Sequence, residues 1–315
     1  MKYRYFEKEP GFAGTVRDLF SRKYLYREAL KGVSFNIDSP EIVGLIGPNG
    51  AGKTTCLKIL SGIIKPTDGS ADVLGYNPYE KKNDFKKKLA FLMGNKNQAY
   101  LNLPAIESFN SSRIIYDIDR TKFKQQVKQL TEMLDIAGKI NVPVRNLSFG
   151  ERMKVEFILA LLHEPEIVFL DEPTIGMDII AQYNLRKYIH DYFSLRKNAT
   201  FIITSHNMTD IEDLCSRIII IRDGKFIYDG EKRNLANTGK KIEVYFNKAP
   251  EQGETAILEK LNYIRINDIH FQKTADFSQF QNDWNSTLSR MNIRDMSFTE
   301  PDFEKIIGEY LKTGN

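Results

Sequence analysis

The stretch GPNGAGKT, Gly47–Thr54, places Gly47, Gly52, Lys53 and Thr54 at the spacing of a phosphate-binding loop. Glycines let such a loop turn its backbone N–H groups inward, and the helix that follows adds the partial positive charge of its N-terminus. Residues Gly47, Pro48, Asn49, Gly50, Ala51, Gly52, Lys53, Thr54 and Thr55 form the candidate cradle. Lys53 would reach the β- and γ-phosphates as a point charge, and the Thr54 hydroxyl would ligate Mg²⁺. A second piece of chemistry lies in IVFLDE, where an apolar run ends in Asp171 and Glu172. Asp171 would hold Mg²⁺ through water, and Glu172 stands where a general base for an attacking water is needed. The bland alternatives are a glycine-rich turn and a solvated acidic turn; the two motifs together favour a nucleoside triphosphatase. Guanine specificity would want Asn-Lys-x-Asp after a strand, and NKNQ at Asn95–Gln98 lacks the Asp. The two motifs alone still admit a phosphate-accepting kinase.

Three apolar runs must position these groups. EIVGLIG (Glu41–Gly47), EIVFLD (Glu166–Asp171) and TFIITSH (Thr200–His206) read as buried strands lying between helical patterns, which predicts a parallel sheet with both faces covered. A helix is predicted from Lys53. Asp223-Gly224, between apolar runs, predicts a hairpin. Residues 104–142 read as mostly helical, with Phe123, Val127, Leu130 and Leu134 at helical spacing. The lysine tract at 81–88 reads as a solvated helix face. A polar linker, Glu231–Lys241, precedes about 75 residues of mixed strand and helix pattern.

Composition sets the outer bounds. The 315 residues suit one large domain and a small one. No run approaches the ~18 apolar residues of a membrane span, and the charged start MKYRYFEKEP has no signal-peptide core. The expectation is a cytoplasmic protein. Two cysteines, Cys56 and Cys215, support neither a metal site nor a disulfide framework. The net charge of +4 is accounted for by residues 1–34, with eight Lys/Arg against four Asp/Glu, so the basic character is a local arm and not a nucleic-acid surface.

The stretch NLSFGERMKVEF, Asn146–Phe157, opens like a helix, with Ser148 at the cap and Glu151 three residues on, a capping box. LSFGE also resembles the signature of the ATP-binding cassette family, usually Leu-Ser-Gly-Gly-Gln. It lies ahead of the strand bearing Asp171, 23 positions after Ser148; Ile175–Asp178 (IGMD) is similar to the family's D-loop; and His206, 35 positions after Asp171, stands where its switch histidine belongs. The resemblance covers residues ~1–230 and four or five motifs in order.

What the resemblance implies is an α/β P-loop cassette: a mostly parallel core, an antiparallel β subdomain and an inserted helical subdomain, followed here by a small C-terminal α+β domain. The expected boundaries are 1–235 for the cassette, with the helical part at about 100–160, and 240–315 for the accessory domain. Each cassette would bind ATP and Mg²⁺ on its own loop. Ser148, the Gly150 N–H and the helix they open would serve the γ-phosphate held by a second cassette, and Asp178 would bridge the two. Catalysis would fall to Glu172, His206 and Lys53. The family's Q-loop glutamine, a ligand of Mg²⁺, maps to Asn95, with Gln98 as the alternative. The adenine-stacking aromatic maps to Tyr3, with Tyr5, Phe6, Tyr24 and Tyr26 as rivals, and the first strand is expected shortened or missing. Phe149 and Glu151 depart from the signature. Glu151 puts charge near a triphosphate unless it turns away or pairs with Arg152 or Lys154.

Two segments stand apart from a minimal cassette. Gly14–Gly32 has Val16, Leu19 and Phe20 on one helical face beside Arg17, Arg22 and Lys23; it reads as a surface helix packed on the cassette, or one facing anionic headgroups or a permease loop. The tail IRDMSFTEPDFEKIIGEYL is similar to those of ABC-2 type exporter cassettes, where it helps pairing or caps the fold. The function implied is the ATPase subunit of an ABC-2 type exporter. It would work as a homodimer or with a related cassette, driving separate membrane permease subunits from the inner face of the plasma membrane and touching the membrane through them. The alternatives are a non-transport ABC ATPase and a low-turnover ATP sensor. Translation types carry two cassettes in one chain and repair types a long coiled-coil insertion, and neither pattern is present here.

Overall fold

The structure is a computed structural model. It describes residues 2–6, 24–94, 96–196, 198–235, 239–299 and 302–313, with the backbone alone for 2–6, 24–27 and 313. Two compact units divide at Gly230 and Glu231.

In the first unit, a six-stranded sheet runs in the order β4-β5-β6-β3-β7-β8. Its strands are β3 (Ile42–Ile46), β4 (Leu89–Met93), β5 (Ile167–Asp171), β6 (Thr200–Thr204), β7 (Arg217–Arg222) and β8 (Lys225–Glu231). The pairs β4–β5, β5–β6, β6–β3 and β3–β7 are parallel. Every residue of β3, β5 and β6 is buried, which is why they read as unbroken apolar runs and not as alternation. The hairpin from β7 to β8 turns through Asp223 and Gly224, both at positive φ (51° and 79°), as a tight primed turn requires. One core cluster joins Val43, Leu45, Leu57, Phe85, Phe169 and Ile202 beneath helix α1 (Lys53–Leu60). The short helix α2 (Asn83–Lys87) buries Phe85 and leaves its lysines exposed.

Between β4 and β5 the chain leaves the sheet as helices α3 (Ala105–Ile115), α4 (Arg120–Met133) and α5 (Phe149–Leu161). Asp119 caps α4 by accepting from the N–H groups of Thr121 (2.8 Å) and Lys122 (3.0 Å). Phe123, Val127, Leu130 and Leu134, the stripe visible in the sequence, are all buried. Strands β1 (Lys2–Phe6) and β2 (Tyr24–Glu28) form a separate antiparallel pair in which Tyr3 faces Arg27. The first strand is therefore present with five residues. The side chain of Tyr3 and its aromatic rivals up to Tyr26 lie outside the described residues, as do residues 7–23 of the basic arm.

The second unit follows the order β9 (Lys240–Phe246), α9 (Gln252–Lys260), β10 (Ile264–Asn267), β11 (His270–Ala275), α10 (Phe277–Ser286), β12 (Ile293–Thr299) and α11 (Phe303–Thr313). Helices α6 (Ile179–Leu195) and α7 (Met208–Leu214) belong to the first unit, and the short α8 (Lys232–Leu235) precedes β9 in the second. Its sheet, ordered β10-β11-β9-β12 with antiparallel neighbours, is the split β-α-β arrangement of ferredoxin-like domains. Ile242, Val244 and Phe246 project from one face of β9 into a core with Leu258, Phe271 and Phe280.

His163, in the turn after α5, anchors the helical insertion to the sheet. Its Nε2–H donates to the Leu89 carbonyl (3.0 Å), its ring stacks on Tyr116 at 3.8 Å, and its Nδ1 is buried without a partner. Burial pushes its pKa from 6.5 down to about 4. The folded chain thus refuses a proton that the unfolded chain accepts between those values, so stability falls as pH drops through that window. At pH 5 the loss is about 2 kcal/mol. Urea midpoints of the first unit measured at pH 7 and pH 5 are expected to fall further in the wild type than in His163→Gln, which removes the titration.

Candidate active site

The chemistry gathers at the C-terminal ends of adjacent parallel strands, where open α/β sheets bind ligands. The loop after β3 carries the phosphate cradle, β5 ends in Asp171, and β6 ends one residue before Ser205 and His206. Because β5, β6 and β3 are neighbours, groups far apart in sequence arrive side by side.

Close approach of backbone explains the glycines. Gly47 sits at φ 154°, where an added Cβ would fall 2.0 Å from the Ile221 carbonyl oxygen; at Gly52 (φ 117°) it would fall 2.6 Å from that of Ala29. The loop is thereby pressed against β7 and the segment after β2, and Gly52 opens α1. Lys53 is buried, its ammonium donating to the carbonyls of Gly47 (2.6 Å) and Pro48 (3.3 Å). Burial lowers its pKa, and the negative charges of Glu172 and Asp171 oppose that shift.

Asp171 is the centre of the arrangement. Its Oδ1 accepts from the hydroxyls of Thr54 (3.1 Å) and Thr204 (2.7 Å). Thr204, wholly buried on β6, also accepts at Oγ1 from the Glu172 N–H (3.1 Å). A hydroxyl and a carboxylate, both hard oxygen donors, match what Mg²⁺ takes beside phosphate oxygens. Glu172 adopts the left-handed conformation (φ 54°), turning its side chain towards the loop after β6. There the His206 main-chain N–H donates to its Oε2 (3.0 Å), and His206 Nε2 lies 3.2 Å from its Oε1.

Ser148 and Gly150 are held differently. The Ser148 hydroxyl accepts from the Glu151 N–H (3.2 Å), and the Glu151 carboxylate accepts from the Ser148 N–H (2.9 Å), so the capping box is formed. A Cβ on Gly150 would lie 3.6 Å from Ala181, next to the D-loop. Asp178 caps α6 by accepting from the Ala181 N–H (2.9 Å). Glu151 pairs with Lys139, not with Arg152 or Lys154, because the turn before the signature brings Lys139 to the first turn of α5. That pairing and the capping bond hold its carboxyl below the usual range. Gln98 is not brought to Thr54 and Asp171: its amide donates to the Phe91 carbonyl (2.9 Å) and its N–H to Glu156. Asn95 lies outside the described residues.

The comparisons bear on this geometry. A family model described as ABC transporter matches residues 30–175. The chain is 31% identical over 216 residues to the ABC transporter ATP-binding protein NatA of Bacillus subtilis, spanning 69% of this chain and 87% of that protein. The chain belongs to the ABC transporter ATP-binding family. A second member, the bacitracin transport ATP-binding protein BcrA of Bacillus licheniformis, is 28% identical over 250 residues, covering 79% of this chain and 78% of that protein. The fold matches a solved ATP-binding subunit of an ABC transporter (TM-score 0.60, 24% identity, 66% of this chain and 86% of that one). It also matches the dimeric ATP-binding cassette MJ0796 bound to ADP and Pi (TM-score 0.58, 22% identity, 73% and 95%). This ABC protein is accordingly an ATP-binding ATPase subunit of a transporter.

Thr204 was not singled out in the sequence, since a threonine at a strand end carries no spacing signal. Replacing it with Val keeps the shape and removes the bond that orients Asp171. The Mg²⁺ concentration needed for half-maximal turnover is expected to rise roughly ten- to hundredfold, as for other groups that orient metal ligands, with the fold intact by circular dichroism.

Proposed function

We propose that this chain is the ATP-hydrolysing subunit of an ABC-2 type exporter, working in a pair with a second copy or a related cassette. Its partners are separate membrane permease subunits, and its place is the cytoplasmic face of the plasma membrane. The relatives named for bacitracin transport and as NatA support this branch. Among the described residues no helix is long and apolar enough to cross a membrane.

The observation that carries the catalytic reading is the Glu172 carboxylate held by His206 beside Asp171 and Lys53. ATP would lie on the loop Gly47–Thr55, with Lys53 exchanging its carbonyl partners for phosphate oxygens. Mg²⁺, held by Thr54 and Asp171, would neutralise charge on the phosphates. Glu172 would take the proton of the attacking water as its oxygen bonds to the γ-phosphorus and the bond to ADP breaks. The His206 N–H keeps that carboxylate in one orientation. Ser148 and Gly150 would meet the γ-phosphate bound by the partner cassette, the Ser148 hydroxyl leaving its capping bond on closure. Tyr3 for adenine and Asn95 for the metal remain part of the proposal.

Glu172→Gln tests it. Turnover is expected to fall roughly 10²–10⁴-fold, the share of a general base. The variant should retain ATP and sediment as a dimer only with ATP present. Normal hydrolysis by the variant would remove Glu172 from its role. A wild-type turnover per molecule that is unchanged on dilution of a strictly single chain would defeat the paired site.

A further inference from the structure

Glu156 lies on the inner side of α5, two turns below Ser148, and is buried. Among the described residues no cation pairs with it. Its carboxylate instead accepts from consecutive backbone N–H groups: Gln98 at 3.0 and 2.9 Å and Ala99 at 3.1 Å. The next N–H, that of Tyr100, donates to the Ser108 hydroxyl on α3 (2.9 Å). Further along the same segment, the Leu101 carbonyl accepts from the Arg145 N–H (2.8 Å) and the Leu103 carbonyl from the Val144 N–H (3.0 Å). Segment 98–103 is thus stitched to α5 on one side of the signature turn and to the residues just ahead of that turn on the other. Ser148 and Gly150 lie between the two sets of bonds.

We propose that Glu156 is a positioning residue for the ATPase: by tying α5 to segment 98–103 it fixes where Ser148 and Gly150 present themselves to the partner's nucleotide. This rests on the paired site proposed above. The chemistry favours a carboxylate here and not a neutral side chain. A buried carboxylate without a counter-ion is costly, and only a fan of N–H donors offsets that cost. Burial raises the pKa of Glu156, with the Ala99 and Gln98 N–H groups opposing the shift. A plain packing role would be filled by Leu at lower cost, as at the surrounding positions of α5. The tether also explains why Gln98 faces Phe91 and not the metal position. Its main chain is fixed by Glu156, and its amide then meets the Phe91 carbonyl.

Two variants separate positioning from packing. Glu156→Leu keeps volume and removes the acceptor; Glu156→Gln keeps one acceptor oxygen. With the wild-type chain as reference, kcat of Glu156→Leu is expected to fall roughly 10–100-fold, the scale on which small misplacements act. MgATP affinity, set by the chain's own loop, should stay within about twofold, because the cradle residues are untouched. Glu156→Gln should recover part of kcat. Amide exchange by mass spectrometry gives the independent arm. In Glu156→Leu, peptides covering 96–101 and 147–151 should both exchange roughly five- to hundredfold faster, the cost of orphaned buried donors. An unchanged kcat, a parallel loss of MgATP affinity, or faster exchange confined to 96–101 would each overturn the proposal. If the wild-type chain itself shows no turnover, the paired-ATPase reading fails, while the exchange of 147–151 still decides whether Glu156 holds the signature turn.

Discussion

The Asp171 carboxylate at the end of β5 is the junction on which the first unit depends. It receives one hydroxyl from α1 (Thr54) and one from β6 (Thr204), so three elements are registered against one another within a bond length or two. Parallel strands alone would bring their ends to the same edge of the sheet, but they leave the side chains free to turn. The hydroxyls remove that freedom. They also satisfy a carboxylate that is almost wholly buried and would otherwise carry a heavy desolvation cost. The same device that stabilises the apposition of loop and strand would, in the proposed site, set out the oxygens for a divalent ion.

A second buried centre supports the first from behind. Asp210 on α7 is wholly buried and accepts from Thr174 (2.5 Å), Ser205 (2.8 Å) and Arg186 (2.9 Å). Thr174 follows Glu172 by two residues, and Ser205 precedes His206. Arg186 lies on α6, the helix that Asp178 caps. Removing one partner from such a network strands a charge, whereas the complete network favours one geometry. The loop after β5, the loop after β6 and the helix after the D-loop therefore form one rigid floor. Asn207 extends it: its amide donates to Gln182 (3.0 Å), whose own amide donates to the Met177 carbonyl (3.3 Å). Glu172 and His206 keep their mutual position because both stand on that floor.

What was legible in the sequence was legible for local reasons. The phosphate loop, the capping box at Ser148, the turn at Asp223-Gly224 and the stripe from Phe123 to Leu134 each follow from spacing within a few residues, where backbone geometry is nearly determined. The buried strands announced themselves because parallel strands covered on both faces need apolar side chains throughout. What stayed hidden is non-local. Thr204 meets Asp171 across 33 positions, Glu156 meets Gln98 across 58, and Arg196 meets Glu164 across 32. Nothing in the spacing of a Thr, a Glu or an Arg says which distant partner the fold will supply. The partner of Glu151 is hidden for a related reason: helix periodicity points to neighbours on the same helix, yet the chain returning from α4 brings Lys139 nearer.

The apolar surface around the D-loop carries the last step. Ile179 (82% exposed), Ile180 (74%) and Tyr183 (60%) stand on the first turns of α6, with Ile175 and Phe149 close by in the sequence motifs they border. Phe149 lies against Gly176, where an added Cβ would be 3.6 Å from its ring. The signature's extra bulk is thus partly in contact with the D-loop of the same chain. Covering three such side chains contributes about 1.5–3 kcal/mol each, before the entropic cost of bringing two chains together. That is too little to hold a pair permanently and enough to matter once nucleotide adds its own contacts. An interface of this intermediate strength suits the proposed pair, which would open to release ADP and close to hydrolyse ATP. In the proposed pair, the polar groups of Ser148, Gly150 and Asp178 would make closure depend on the γ-phosphate, and the isoleucines would make it cheap enough to occur.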